Sequence, residues 1–336
     1  MTKPFFSTVT RIADVETRSF DVKPLPRAEW GPGDYVLCEV RGRPGPLYQI
    51  ERPSGRMCQV FDGDLVVGAF GTRAATLEGV GDWRDIGEDG ALHALTGAGL
   101  FGKATSVSPL LSPLMDLQYH GHLVRDKKLT MQGFCPLVDP VPLKIPVILL
   151  IGTSMSSGKT TSGRVIVHEL AQLGLKVAAA KLTGAARFRD MLSWKDAGAA
   201  HVFDFVDVGL PSTVCPPKEF ATSLTQLLSK IATKDADVLV AEAGASPLEP
   251  YNGSVAMDMI DEKVRMLVLC ASDPYAVLGV QHAFGREPDL VCGPASNTEA
   301  AVELVGKLCG VPALNLLLRR SRPALRDMLK GCIGIG

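Results

Sequence analysis

Residues 145–161 carry a lysine and a hydroxyl side chain in the order that phosphate binding requires. They read Ile-Pro-Val-Ile-Leu-Leu-Ile-Gly-Thr-Ser-Met-Ser-Ser-Gly-Lys-Thr-Thr. The apolar run 147–151 does not alternate with polar residues, which predicts a strand buried on both faces of a parallel sheet. Gly158 lets the backbone approach an anion closely, and a helix beginning near Lys159 would point its free N–H groups at that anion. The stretch therefore predicts a phosphate-binding loop.

Two side chains of this loop have predicted roles. Lys159 would reach the β- and γ-phosphates of a nucleotide, and the Thr160 hydroxyl would ligate Mg²⁺. Five residues separate Gly152 from Gly158, one more than in the usual motif, so Thr153 stands at the usual first-glycine position. The alternative is a Gly/Ser-rich turn with a solvated lysine. The predicted nucleotide-binding residues of the loop are Gly152, Thr153, Ser154, Met155, Ser156, Ser157, Gly158, Lys159, Thr160 and Thr161.

Later strands of the same region predict where further polar groups would lie. Beyond residue 147, apolar runs alternate with helical stretches, which predicts an α/β fold with a mostly parallel sheet flanked by helices. The first helix should start at Lys159 and end near Gly174. The other predicted strands are 176–180, 236–241, 265–270, 288–292 and 311–316, and the other predicted helices are 217–233, 297–308 and 321–330.

Ligands of open α/β sheets bind at the carboxyl ends of the strands, and charged side chains are predicted there. Lys181 and Thr183 follow the second strand, with Arg187 and Arg189 soon after. Glu242 follows a later central strand, where a carboxylate could hold the metal or its water. The alternatives are a solvated strand end for Lys181 and a helix cap for Glu242.

The N-terminal part of the chain has a different pattern. Short β-rich segments at 35–40, 47–51, 57–61 and 64–70 are separated by Gly, Pro and Asp turns. They predict a small antiparallel β-rich domain over residues 1–134, a barrel or a sandwich. Four prolines between residues 135 and 146 indicate a linker, so the P-loop NTPase domain would cover 147–336. His120 and His122 form a possible metal pair, with surface histidines as the favoured alternative.

The composition limits the class of partner. With 35 basic and 36 acidic residues the formal net charge is −1, which argues against a nucleic acid or an anionic membrane as partner. Eight cysteines without a Cys-x-x-Cys pair are typical of a reduced, cytoplasmic protein. The N-terminus lacks the apolar region of a signal peptide, and no apolar run approaches the length of a membrane span. We therefore expect a soluble protein with a small-molecule substrate.

Over residues 144–320 the motifs resemble those of dethiobiotin synthetase. The loop Gly152-Thr-Ser-Met-Ser-Ser-Gly-Lys-Thr has the same five-residue spacing and the same Gly-Thr opening as the loop of that family. Lys181-x-Thr-Gly is similar to its second-strand Lys-Pro-Val-x-x-Gly, and Glu242-Ala-Gly-Ala to its Glu-Gly-Ala-Gly. The resemblance implies that Lys159 and Thr160 bind ATP and Mg²⁺, that Lys181 contacts the substrate, and that Glu242 is a metal ligand. It also implies a homodimer.

Two further site residues are implied by the same resemblance. Lys195-Asp196-Ala197 is the closest match to the family's Ser-Asp-Ala, which makes Asp196 the candidate second acidic metal ligand and Asp190 its rival. Asn297 follows a late strand, where the family places an asparagine against adenine. The alternative for Asn297 is the N-cap of the next helix.

A second resemblance leaves the reaction open. The run from Glu242 to Ser254, followed by Leu267-Val-Leu-Cys, is similar to the family that includes a D-glutamate N-acyltransferase, whose members need not hydrolyse ATP. We expect an ATP- and Mg²⁺-dependent phosphoryl-transfer or ligase-type enzyme for a small, carboxylate-bearing substrate. Its catalytic residues would be Lys159, Lys181 and Glu242, and Lys181, Thr183, Arg187 and Arg189 would bind the substrate. The alternatives are an N-acyltransferase that holds acyl-coenzyme A on the loop, and a nucleotide-dependent switch or metallochaperone.

Overall fold

The structure, a computed structural model, describes residues 3–42, 48–244 and 246–334. Leu47, where one predicted strand begins, and Ala245, in the motif after Glu242, lie outside these residues. Contacts divide the chain into two units. The first contains the described residues of Met1–Val138 with Ala185–Arg189 and Phe205–Ser223, and the second contains those of Asp139–Gly184, Asp190–Asp204 and Leu224–Gly336. The predicted linear domain boundaries stay a prediction.

The first unit is β-rich, as predicted. Neighbouring strands run in the order β1-β6-β3-β11-β9-β10-β8-β7, with β2 on β11 and a separate β4–β5 pair. Because β6 also pairs with β10, the strands β3, β6, β10, β9 and β11 form a closed circuit, which is a small barrel. The strands are β1 Phe5–Phe6, β2 Asp21–Lys23, β3 Tyr35–Arg41, β4 Gln49–Glu51, β5 Met57–Gln59, β6 Leu65–Phe70, β7 Thr72–Ala75, β8 Gly79–Asp82, β9 Ala91–Thr96, β10 Leu100–Val107 and β11 Met115–Val124.

The barrel is not purely antiparallel. Its β1–β6 and β6–β10 pairs are parallel, whereas β3 pairs antiparallel with both β6 and β11. Alternate residues of β3, namely Val36, Cys38 and Val40, lie in the buried core, because successive side chains of a strand point to opposite faces. Phe70 and Phe101 from the parallel pair of strands fill the same core.

The two histidines of β11 do not form a pair. A register shift between Tyr119 and Gly121 interrupts the strand, so that the side chains of His120 and His122 have different surroundings. His122 is fully buried and lies 3.2 Å from Asp34 and 2.7 Å from the Tyr119 hydroxyl. His120 is exposed, 2.8 Å from a carboxylate oxygen of Glu39. The predicted surface location is therefore confirmed for His120 and wrong for His122.

The second unit contains a parallel sheet, which confirms the predicted α/β fold class. Its strand order is β14-β13-β15-β12-β16-β17, and each neighbouring pair is parallel. The strand that precedes the predicted phosphate-binding loop, β12, lies between β15 and β16 and is buried along its whole length, as its continuous apolar run predicts. The strands are β12 Val147–Gly152, β13 Val177–Thr183, β14 His201–Asp204, β15 Val238–Ala243, β16 Val264–Cys270 and β17 Leu290–Cys292.

Helices alternate with these strands, and several were not predicted. Among the predicted elements, 311–316 is wrong as a strand, because only Ala313 forms an isolated bridge, to Val291. The unpredicted elements are β14, α2 (Phe188–Asp196), α4 (Gly253–Ile260) and α5 (Pro274–Phe284). No helix among the described residues has the length and apolar character of a membrane span. The helices are α1 Lys159–Gln172, α2 Phe188–Asp196, α3 Pro217–Ala232, α4 Gly253–Ile260, α5 Pro274–Phe284, α6 Glu299–Cys309 and α7 Arg322–Ile333.

Candidate functional site

The chain turns from β12 into α1 through the predicted phosphate-binding loop. Gly158 is the residue before α1 and has φ +93°, a left-handed conformation that glycine adopts without strain. α1 then begins at Lys159, so the free N–H groups of its first turn face the loop. The Trp194 indole donates a hydrogen bond to the backbone oxygen of Thr160 at 2.8 Å and thereby ties α2 to this end of α1. Strand, loop and helix thus follow each other as the sequence predicts.

Lys159 is folded back over the loop. Its side chain is only 2% exposed, and its ammonium donates to the Ser154 carbonyl oxygen at 2.6 Å. Burial lowers the pKa of Lys159, while the nearby carboxylate of Glu242 acts in the opposite direction. A buried ammonium is costly unless an anion accompanies it. The position and desolvation of Lys159 therefore suit a side chain that receives a phosphate group.

Thr160 and Glu242 come together beside the loop, although 81 residues separate them in the sequence. The Thr160 hydroxyl lies 3.1 Å from a carboxylate oxygen of Glu242. Glu242 is on β15, which pairs directly with β12, and it lies opposite Leu150. A hydroxyl and a carboxylate oxygen are the ligand types that Mg²⁺ prefers. The pair could therefore hold Mg²⁺ next to the phosphates of a nucleotide.

A row of charged residues crosses the carboxyl ends of the strands. Lys181 on β13 is opposite Glu242 on β15 and opposite Asp204 on β14. The Lys181 ammonium also lies 3.0 Å from a carboxylate oxygen of Asp190 in α2. Burial by itself lowers the pKa of Lys181, but the carboxylates of Asp190, Glu242 and Asp204 together raise it above its ordinary value. Lys181 is therefore a fixed cation next to the loop.

The two candidates for the second acidic residue differ in position. Asp196 is exposed at the C-terminal end of α2, whereas Asp190 in its first turn contacts Lys181. Among the described residues, no three His, Cys, Asp or Glu side chains form a metal-binding group. The placement favours Asp190 over Asp196 as the acidic residue near Lys181, and the metal-ligand role of Asp196 stays a prediction.

Arg187 and Arg189 belong to the first unit, whereas Lys181 belongs to the second. Both arginines are exposed residues. The backbone N–H of Arg189 donates to the buried carboxylate of Glu51 at 3.0 Å, which fixes the start of α2 within the first unit. Thr183, at the end of β13, is fully buried and its hydroxyl donates to the Gly244 carbonyl at 3.1 Å. The roles of these residues in substrate binding stay predictions.

A cavity of about 180 Å³ adjoins the start of α1. Gly158, Thr161 and Asn297 line it together with Asn315, which the sequence analysis did not single out. The Asn315 amide donates to the backbone oxygen of Asn297 at 2.9 Å, a contact without any local sequence signal. The side chain that caps α6 is Thr298, which accepts a hydrogen bond from Ala301, and not Asn297. The side chain of Asn297 is therefore not used as the helix cap.

Gly293, which follows β17, touches the phosphate-binding loop. It has φ +78°, and a Cβ atom there would lie 2.4 Å from the Ser157 carbonyl oxygen and 3.2 Å from that of Ala271. Both neighbours are backbone atoms, so a larger residue would have to displace the loop. No role was predicted for this glycine from the sequence.

Gly293→Ala is expected to lower the affinity for a nucleotide at least about tenfold and the free energy of unfolding by about 1–3 kcal/mol, through strain and displacement of the loop. Calorimetric titration and urea unfolding measure the two effects. Gly279→Ala is the matched control, because a Cβ at this position in α5 meets nothing within 4 Å. Identical behaviour of the two variants would contradict the close contact between Gly293 and the loop.

Glu249 is a second carboxylate near Lys159 that the sequence analysis did not assign. It accepts a hydrogen bond from the backbone N–H of Ser246 at 2.7 Å. Its charge acts to raise the pKa of Lys159, against the larger effect of burial. The sequence Ser246-Pro-Leu-Glu249 has the spacing of a capping box, in which the glutamate accepts from the backbone N–H of the serine. This spacing could have predicted the position of Glu249.

Comparisons with known proteins give weak likenesses. No family profile matches the chain, and no curated protein matches it. The signal recognition particle receptor FtsY of Elizabethkingia anophelis is 16% identical with a TM-score of 0.39, over 55% of this chain and 65% of that one. Chloroplast FtsY of Physcomitrella patens is 13% identical with a TM-score of 0.38, over 57% and 67%. A DUF1611 family protein of Anabaena variabilis is 15% identical with a TM-score of 0.36, over 60% and 62%.

Identities and TM-scores this low do not indicate an activity for the chain. The chain spans only about 65% of the length of the first of these structures. The P-loop NTPase-type fold follows from the central strand, the loop and the parallel sheet described above. The resemblance to dethiobiotin synthetase gains no support from these structures and stays a prediction from sequence motifs.

Proposed function

We propose that the protein binds ATP with Mg²⁺ on the loop after β12 and transfers the γ-phosphoryl group to a small carboxylate-bearing acceptor, with ADP as the leaving group. The phosphorylated acceptor would be either the product or, in a ligase reaction, the activated intermediate. The contact between Thr160 and Glu242 carries this proposal. It supports an oxygen-rich metal site next to a buried lysine, which is the combination that phosphoryl transfer needs.

Each residue of the candidate site would have a separate role in binding or in transfer. The backbone N–H groups at the start of α1 and the Lys159 ammonium would bind the β- and γ-phosphates and neutralise charge that develops during transfer. Thr160 and Glu242 would hold Mg²⁺, which supplies further charge neutralisation when bound. Lys181 would bind the acceptor carboxylate through a charge-assisted hydrogen bond, in place of the Asp190 carboxylate.

Two observations favour phosphoryl transfer over the two alternatives. An acyl-coenzyme A would present a diphosphate to the loop, but its transfer reaction leaves no role for a hydroxyl–carboxylate pair that suits Mg²⁺. A nucleotide switch usually carries an Asn/Thr-Lys-x-Asp sequence for base selection, and the printed sequence contains none.

Base selection provides the test. Asn297 lines the cavity beside the loop, and an asparagine amide can donate to and accept from one edge of adenine. We expect the wild type to bind ATP at least about tenfold more tightly than GTP, and Asn297→Ala to reduce this preference to about threefold. Calorimetric titration with Mg²⁺-ATP and Mg²⁺-GTP measures both affinities.

Thr298→Ser is the control for this test, because serine retains the hydroxyl that caps α6. Titration of coenzyme A under the same conditions separates the reaction classes. Tight binding of coenzyme A with weak binding of both nucleotides would replace phosphoryl transfer by acyl transfer.

A further inference from the structure

A second cavity, of about 310 Å³, lies directly beside the one that adjoins α1. Ser296, Asn297 and Asn315 line both cavities. The far side of the second cavity is formed by α6 and by the segment after Ala313, with Val302 and Leu318 among its apolar residues. The two cavities therefore share a wall, and Asn297, the predicted adenine contact, lies on it.

The two asparagines of the shared wall differ in the hydrogen bonds of their side chains. The Asn315 side chain donates to the Asn297 backbone oxygen at 2.9 Å and accepts from the Leu317 N–H at 3.1 Å. Asn315 is thus held by backbone groups on both sides of its amide. The Asn297 side chain is exposed, and within the described part of the chain its amide makes no such contact. Asn297 is therefore the group available to a ligand.

We infer that the second cavity receives a substituent on the exocyclic amine of the base, so that the site accepts adenine nucleotides with a large apolar N6 group. This inference rests on the proposed function. A singly substituted N6 retains one hydrogen that can be donated to the Asn297 amide oxygen. The substituent then points past Asn297, where Val302 and Leu318 offer apolar surface.

The second cavity has the chemistry that such a group needs. Leu318 is 37% exposed, so an apolar substituent would remove existing leucine surface from water. Glu299, Glu303 and Arg320 also line this cavity, and two of these charges are paired, because Arg320 lies 2.7 Å from Glu299. An apolar substituent can therefore enter without leaving that arginine buried and unpaired.

The test compares ATP with N6-benzyl-ATP by calorimetric titration in the presence of Mg²⁺. We expect the wild type to bind the two within about threefold of each other. Val302→Trp should occupy space in the second cavity and lower the affinity for N6-benzyl-ATP at least about tenfold, while the affinity for ATP changes less than about twofold. Leu318→Ser removes apolar surface without adding volume. It should lower the affinity for N6-benzyl-ATP and leave the affinity for ATP unchanged. Lys307→Trp is the matched control, an exposed position on the same helix outside the cavity lining.

The outcomes distinguish a failure of this inference from a failure of the proposed function. If ATP binds and N6-benzyl-ATP is rejected by the wild type, the second cavity does not extend the base site. Equal binding of N6-benzyl-ATP by the wild type and by both cavity variants would also overturn the inference, since the benzyl group would then lie elsewhere. Failure of ATP itself to bind would overturn the proposed function, and the inference with it.

Discussion

Lys159→Ala is expected to weaken ATP binding at least about 100-fold, because two or more charge-assisted hydrogen bonds to phosphate are lost. The ammonium is buried against the Ser154 carbonyl, so little water competes for it. The stability of the protein without nucleotide should change little, since removal of a buried cation also removes its desolvation cost. Calorimetric titration measures the affinity, and thermal unfolding without ligand measures the stability.

Lys176→Ala is the matched control for this result. Lys176 is exposed on the surface and pairs with Asp235, so its loss should leave ATP affinity within about twofold. An ATP affinity of Lys159→Ala within threefold of the wild type, in a folded variant, would contradict phosphate binding by the loop. The proposed function would then lose its basis.

Glu242→Gln is expected to raise the Mg²⁺ concentration needed for half-maximal turnover at least about tenfold, and to slow turnover about 100-fold, because a neutral amide is a poorer ligand for Mg²⁺. The amide oxygen can still accept the hydrogen bond that Thr160 donates to Glu242, so the local structure should persist. Binding of ATP without metal should therefore be nearly unchanged. Rates of ATP cleavage over a Mg²⁺ series and calorimetry in EDTA measure these effects.

Glu262→Gln serves as the control, an exposed glutamate before β16. Its Mg²⁺ dependence should match that of the wild type. If Glu242→Gln also matched the wild type at every Mg²⁺ concentration, Glu242 would be a structural residue. The Thr160–Glu242 contact would then no longer support a metal site.

The elements predicted from sequence are those with strong local signals. The apolar run of β12, the left-handed Gly158 and the start of α1 at Lys159 lie next to each other in the chain, and each has its own pattern. The helix predicted at 217–233 was found as α3 for the same reason, since its apolar residues recur at helical spacing. Such features depend on residues within one or two turns of each other.

The wrong prediction and the missed helices also have physical causes. Residues 311–316 are apolar enough for a strand, but a strand also needs a partner, and only one isolated bridge forms there. The helices α4 and α5 are the most apolar helices in the described part of the chain, so a separate apolar stripe does not stand out in their sequences.

By itself the sequence determined that a buried strand, a glycine-containing loop and a helix that starts with a lysine follow each other in that order, because these depend on short-range sterics and hydrogen bonding. Only the tertiary structure decided which charges meet at the loop. The row of Asp204, Lys181 and Glu242 depends on which strands are neighbours and on their register. The second cavity beside Asn297 likewise depends on the packing of α6 against a distant segment. Strand order and helix packing join residues far apart in the chain, and no local pattern encodes such distances.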